Sequence, residues 1–424
     1  MSVAWRDGLT LTIEGALSAA TGDYGAWDSA VWDTDTWGPD ELFVDLSAYP
    51  LRRLSTDRHF GREVQAWEAG AATLVLDNRS GDLSPDNLSG PFVTAGVTEI
   101  RPWRAIRVNA TFAGVTYPVY RGYALDWLES WPGGPNRTNA GDAIVTVPCT
   151  DELGKLAGFD GLEQPAVGAG ELFGTRIHRL LNNAGHVGER AIEAGTITMQ
   201  ATTLAADTST ELKLTADSEG GAVYIDAAGT VVGEQQYALV QNSRSINVQA
   251  TFGDGGGTEI PYTDPQLSSA GDQIINIASY ARVGSTTQTV ADATSRALYG
   301  DKRDTRTDLI CESDAQTMSL ASWKVARFKA PERRIKSLTI KPRRNPVLLF
   351  PIVLGLKVRD LVRVKRRPPG GHTITQDCFI AGIAHTITPD TWETVFTLSS
   401  ATPYTLFSGS LWDTAVWDTS LFFY

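Results

Sequence analysis

Apolar and polar residues alternate over short stretches towards both ends of the chain, and the spacing changes to that of a helix only in the middle. Residues 72–77 (A-T-L-V-L-D) predict a strand running into the polar loop 78–87. In 103–112, Ile106, Val108 and Ala110 alternate with Arg107 and Asn109, and 116–127 follow an Ala-Gly turn as the hairpin partner. A further strand is expected at 143–147. Strands return from Ser337, at 337–341, 361–365, 377–384 and 393–398, with Pro368-Pro-Gly-Gly371 turning between two of them.

The middle reads differently. Leu172, Phe173, Ile177, Leu180 and Leu181 share one face of a helix over 171–183, closed by Gly185. Thr208-Ser-Thr-Glu211 has capping-box spacing and opens a short helix ending near Gly220-Gly221, before a hairpin over 222–226 and 230–233. Helices are also expected around 290–299, stopped by Gly300, and over 314–328, where Met318, Ala321, Val325 and Phe328 recur and Pro331 follows. The expected fold class is a β-rich α+β multidomain chain, with two small antiparallel β-barrels bracketing α/β insert domains. Its parts are an N-terminal arm (1–40), a first barrel (41–150), an α/β insert (151–250), a second mixed region (251–335), second-barrel strands (336–400) and a C-terminal arm (401–424).

The two arms carry the most distinctive repeat. Trp27, Trp32 and Trp37 recur every five residues, each followed by Asp or Gly, and the cadence returns at Trp412 and Trp417 and ends in Leu-Phe422-Phe-Tyr. Residues 27–34 and 412–419 match at seven of eight positions, differing at Ser29 and Thr414. A period of five fits neither helix nor strand, whereas Asp-Ser and Asp-Thr pairs bend the chain by bonding to nearby amides. So many large aromatics in two short segments must dock on something: this chain, another copy or another protein. Sugar binding by the Trp faces is the alternative use.

Charge sharpens the picture. The chain of 424 residues carries a net −12, yet 324–367 hold 15 Lys or Arg against Glu332 and Asp360, a local +13 within a remainder of −25. A basic region on an acidic body suits electrostatic docking, and Arg363, Lys365 and Arg366 are the candidate docking cations. No aromatics interleave the bases from Lys329 to Arg344, so nucleic-acid binding gains no motif support. The longest apolar run, 346–356, is about half the ~20 residues a membrane-spanning helix needs. No basic stretch with an apolar core opens the chain, so no membrane insertion and no signal peptide are expected.

Local catalytic motifs are missing. Cys149, Cys311 and Cys378 lie far apart, in no metal or redox spacing, and the five His form no i, i+4 pair. There is no G-x-S-x-G elbow, and Gly253-Asp-Gly-Gly-Gly257 lacks the Lys of a phosphate loop. Catalytic, metal and cofactor sites are therefore all expected to be none.

Four segments in order resemble one family. They are Val75-Leu-Asp-Asn-Arg-Ser-Gly-Asp-Leu-Ser-Pro85 with Gly90-Pro-Phe92; Ser218-Glu-Gly-Gly through Val232; Ala291-Asp-Ala-Thr-Ser-Arg-Ala-Leu-Tyr-Gly-Asp-Lys302; and Gly382-Ile-Ala-His385 through Trp392 to Leu398-Ser399. Together they resemble tail-tip (baseplate) hub proteins of long-tailed, siphovirus-type phages, of the minor tail protein kind found in phages of actinobacteria. The resemblance spans about residues 70–400 and carries no catalytic residue. It implies a homotrimer in which two barrels per chain make a pseudo-sixfold ring at the virion tail tip. Its partners would be the distal tail protein ring, tail tube, tape measure protein and a central fibre or spike, with DNA passing through the lumen. Many such hubs extend into receptor-binding or peptidoglycan-cutting domains. This chain stops about 25 residues after its second barrel, so a compact adaptor is expected, and a receptor- or carbohydrate-binding tail protein is the alternative.

Overall fold

A computed structural model describes residues 3–4, 7–18, 42–59, 67–131, 143–159, 166–204, 206–268, 273–331 and 334–402. The first β-core is built from β1 (Leu9–Ser18), β2 (Leu42–Asp45), β3 (Leu51–His59), β4 (Ala71–Asp77), β5 (Ala105–Phe112), β6 (Val115–Ala124), β7 (Leu128–Ser130) and β8 (Ile144–Thr150). Alternation decides which face turns inward: in β8, Val145, Val147 and Cys149 are buried while their neighbours are half-exposed. The predicted hairpin is β5–β6, from Ala105↔Tyr123 to Phe112↔Val115 at its tip.

The expected N-terminal arm is corrected here. Leu9, Leu11 and Ile13 alternate into the first core on β1, which pairs along its length with β5. Ser18 then pairs with Leu42 on β2, and the residues between them lie outside the described ones.

The insert follows with α1 (Glu152–Leu156), α2 (Phe173–Asn183), α3 (Thr208–Glu219), β9 (Ala222–Ile225) and β10 (Val231–Glu234), and encloses its own core. The cap of α3 sits one residue ahead of the expected Thr208. Asp207 accepts from Thr210 N at 3.0 Å, while Glu211 reaches back to Ala206 N at 3.3 Å. Gly220 closes the helix at φ 72°.

Next in the chain come β11 (Ala250–Phe252) and β12 (Thr263–Ser268), then β13 (Ile277–Arg282), β14 (Gln288–Ala291), α4 (Ala293–Tyr299), β15 (Arg303–Leu309) and α5 (Asp314–Phe328). Residues 290–291, expected to be helical, end strand β14 instead, and Asp292 caps α4 by accepting from Ser295 N at 2.8 Å. On α5 the capping box is complete, Ser313 with Gln316.

The chain ends its described part with β16 (Arg334–Ile340), α6 (Pro346–Gly355), β17 (Leu361–Arg366), β18 (Ile374–Ile387) and β19 (Trp392–Ser400). These enclose a second core together with β11, parallel to β17, and β12, antiparallel to β16. The second β-unit therefore draws on 250–268 as well as 336–400, because Ala250, Phe252 and Ile260 fill its interior.

One sheet carries both cores. Its path runs β1-β5-β6-β8-β4-β3-β18-β19-β16-β12, and the halves meet where β3 pairs antiparallel with β18, from Gly382↔His59 to Ile387↔Leu54. At the start of that seam, Gly382 lies beside a register shift in the β18–β19 pairing. A Cβ on Gly382 would stand 2.4 Å from the Cβ of His59 and 3.0 Å from the Arg58 carbonyl. Only glycine lets the strands approach this closely.

Candidate assembly surfaces

The six aromatics Trp27, Trp32, Trp37, Trp412, Trp417 and Phe422 lie outside the described residues. The three candidate docking cations are described, and each holds an acid of its own chain. Arg363 forks onto Asp377 at 2.6 and 2.8 Å, Lys365 stands 3.4 Å from Glu259, and Arg366 lies 3.2 Å from Asp254. Arg367 bridges Asp254 and Glu259. The Arg367 hydrogen bonds hold Glu259 down to about 2, and the Asp377 partner raises Arg363 above its ordinary value. Much of the basic stretch of β17 is thus answered by acids near β11, and an external partner would have to compete with internal pairs.

Helix α6 occupies the joint between the two cores. Phe350 and Leu354 turn into the first core, where Phe350 packs 5.2 Å from Phe112 and edge-on to Trp392 at 5.5 Å. Leu349, Ile352 and Val353 turn into the second. The apolar run is therefore a two-sided wedge between sheets. Its third face is not covered: Val347 is 80% exposed, and Leu348 and Pro351 are exposed beside it. A surface helix normally puts charge on such a face.

Beneath the wedge runs a buried polar cluster. Arg58 on β3 is buried with its Nε unpaired, facing Tyr224, Tyr120, Asp151 and Asp226 without a close ion pair. Asp151 caps α1 by accepting from Leu153 and Gly154 N and clamps Gly70 N at 2.6 Å. Burial still raises its carboxyl to about 6. His385 on β18 bonds Thr394 at 2.8 Å, and burial pushes its imidazolium down to about 3. A cavity of about 630 Å³ adjoins the cluster, lined by Arg58, Tyr224, His385 and the end of α6. Arg244 and Arg359 on its wall are paired with Asp360 and Glu234. These groups lock the joint by charge, and none is set against a nucleophile.

A second polar chain links the first core to the insert. Tyr123 donates to Glu152 at 2.6 Å, and the other Glu152 oxygen meets His186 Nδ1 at 3.0 Å. Burial raises the Glu152 carboxyl, but the bonds from His186 and Tyr123 outweigh it and hold the group low. Among the described residues no His, Cys, Asp or Glu cluster could hold a metal ion, and no helix is long and apolar enough to cross a membrane. The three cysteines are buried, and none is in a disulfide among the described residues.

At the far end of the β5–β6 hairpin, apolar side chains face outward. Trp103 is 50% exposed with φ 65°, a left-handed conformation that bulky residues seldom adopt. Leu125, Leu128 and Trp131 are exposed along the continuation into β7. Neither this patch nor the wedge of α6 follows from the sequence pattern. Exposure of an apolar residue is decided by contacts between segments far apart in the chain.

By sequence, the chain matches no family model and no curated protein. By structure it is similar to a tail protein from Neisseria meningitidis MC58, with a TM-score of 0.55 and 12% identity over 92% of this chain and 96% of that one. It is also similar to the 43 kDa tail protein of prophage MuSo2 from Shewanella oneidensis, with a TM-score of 0.52 and 14% identity over 85% of this chain and 96% of that one. The chain thus has the β-rich multidomain fold of these tail proteins over nearly its whole described length.

Proposed function

We propose that this chain is a structural component of a phage tail, a homotrimeric tail-tip hub that joins the sixfold tail tube and distal ring to a threefold fibre or spike. The observation that carries this reading is the pair of β-cores laid edge to edge on one sheet, in a chain similar in fold to a tail protein over 92% of its length. Three such chains present six β-cores, so the ring can meet sixfold symmetry on one face and threefold on the other. The four family-like segments support the same reading, and they carry no catalytic residue. The protein acts by holding neighbours in register. The Trp-Asp segments 27–34 and 412–419 act as docking clips for adjoining tail components, and DNA leaves through the central opening.

Native mass from light scattering tests this. The expected value is three times 45.8 kDa. A chain that stays monomeric, and whose Trp27, Trp32, Trp412 and Trp417 bind host cell-wall glycan, would replace the hub with a receptor-binding protein.

A further inference from the structure

Resting on the trimer reading, we propose that the uncovered face of α6 in one copy docks on the Trp103–Trp131 end of the next copy, making a head-to-tail contact.

Each half is unfinished by itself. Residues 346–356 carry no charge, and two sides of the helix are already spent on the two cores. The third side presents Val347, Leu348 and Pro351 to solvent. The opposite patch offers Leu128 and Trp131, 51% and 52% exposed, together with Trp103. The Trp103 ring is held outward by a backbone conformation of the kind that persists where a function requires it. Aromatic anchors of this sort are typical of interface centres.

The charges at the two rims are complementary. Arg344 and Lys357 bracket α6, and neither has an acid partner among the described residues. At the other patch, Asp126 and Glu129 flank Leu128, and neither has a basic partner among the described residues; Glu129 accepts from Ser84 and Asn78. The nearby bases Arg101 and Arg104 share the single carboxylate of Glu99. An apolar centre with a basic rim meets an apolar centre with an acidic one.

In a trimer this contact is heterologous, and the two patches lie well apart on one copy. Helix α6 packs at the tip of β5–β6, through Phe112, whereas Trp103 and Leu125 flank the base of the same hairpin. The hairpin's eight register pairs separate them by roughly 24 Å. In a ring of three, the α6 face of each copy then meets the Trp patch of the next. Joined between copies they lead from chain to chain, and a ring closes when the rotation per step divides the circle.

The test compares full-length wild type with Val347→Glu/Leu348→Glu and with Leu128→Glu/Trp131→Glu by light scattering, with circular dichroism confirming folding. All four positions are exposed, so the fold should be kept. The expected result is a threefold mass for wild type, a single-chain mass for each variant, and a two-chain species when the variants are mixed one to one. That mixture leaves one intact α6 face and one intact Trp patch able to meet. A wild-type trimer with both variants still trimeric overturns this contact and leaves the hub reading standing. A variant that pairs with itself also overturns it, because only an isologous contact allows that. A monomeric wild type overturns this contact, and glycan binding by that monomer overturns the hub reading as well.

Discussion

His385 and Asp151 show how burial dominates the behaviour of single residues at the joint, with Arg58 adding to the His385 shift and opposing that of Asp151. The His385 imidazolium, held down to about 3, gives the folded state fewer protons than the unfolded chain between there and its ordinary value near 6.5. Its contribution to stability is complete above that ordinary value and is lost as pH falls through the window. Asp151, raised to about 6, works the other way: it penalises the folded state above that pH, and the penalty is relieved on acidification. The histidine shift is the larger, so acid weakens the joint. In His385→Asn the stability deficit relative to wild type should shrink by on the order of 3 kcal/mol between pH 7 and 4, read from denaturant titrations. A deficit constant with pH would contradict this. Phe350→Ala should cost about 3–5 kcal/mol, because Phe112 and Trp392 lose a shared partner that neither can replace.

Among elements, the seam of β3 and β18 and the wedge of α6 matter most. Gly382→Ala places a Cβ against His59 and the Arg58 carbonyl, so the strands must part. We expect a loss of about 1–3 kcal/mol, seen as a lowered melting temperature. An unchanged melting temperature would mean that the seam is looser than the structure shows. Removal of 411–424 belongs to the same scale. The described strands end at Ser400, so the truncated chain should fold with a stability change below about 0.5 kcal/mol yet enter tails poorly. A collapsed melting transition would contradict the clip role.

Elements were legible where the pattern is local. Helix 314–328 and the hairpin over 222–234 follow from caps, turns and alternation. The first strand is masked in the sequence although Leu9, Leu11 and Ile13 alternate, because the Trp repeat that follows it has neither strand nor helix period. The uncharged run 346–356 was visible, but its length speaks only about membranes. That it wedges between two cores depends on Phe350 meeting Phe112 and Trp392 across long separations, which no local pattern encodes. The polar joint was equally hidden, since Arg58, Asp151 and His385 come from three distant segments.

For the whole molecule, the acidic balance is consistent with the proposed lumen, because DNA would slide past like charge without sticking. The symmetry step is the central claim, and cryo-microscopy of the purified assembly, reconstructed without imposed symmetry, tests it most directly. The account predicts three chains in a ring, with six β-cores alternating between first and second type around an open axis. Six chains in one ring, or three chains whose second cores lie outside it, would contradict it.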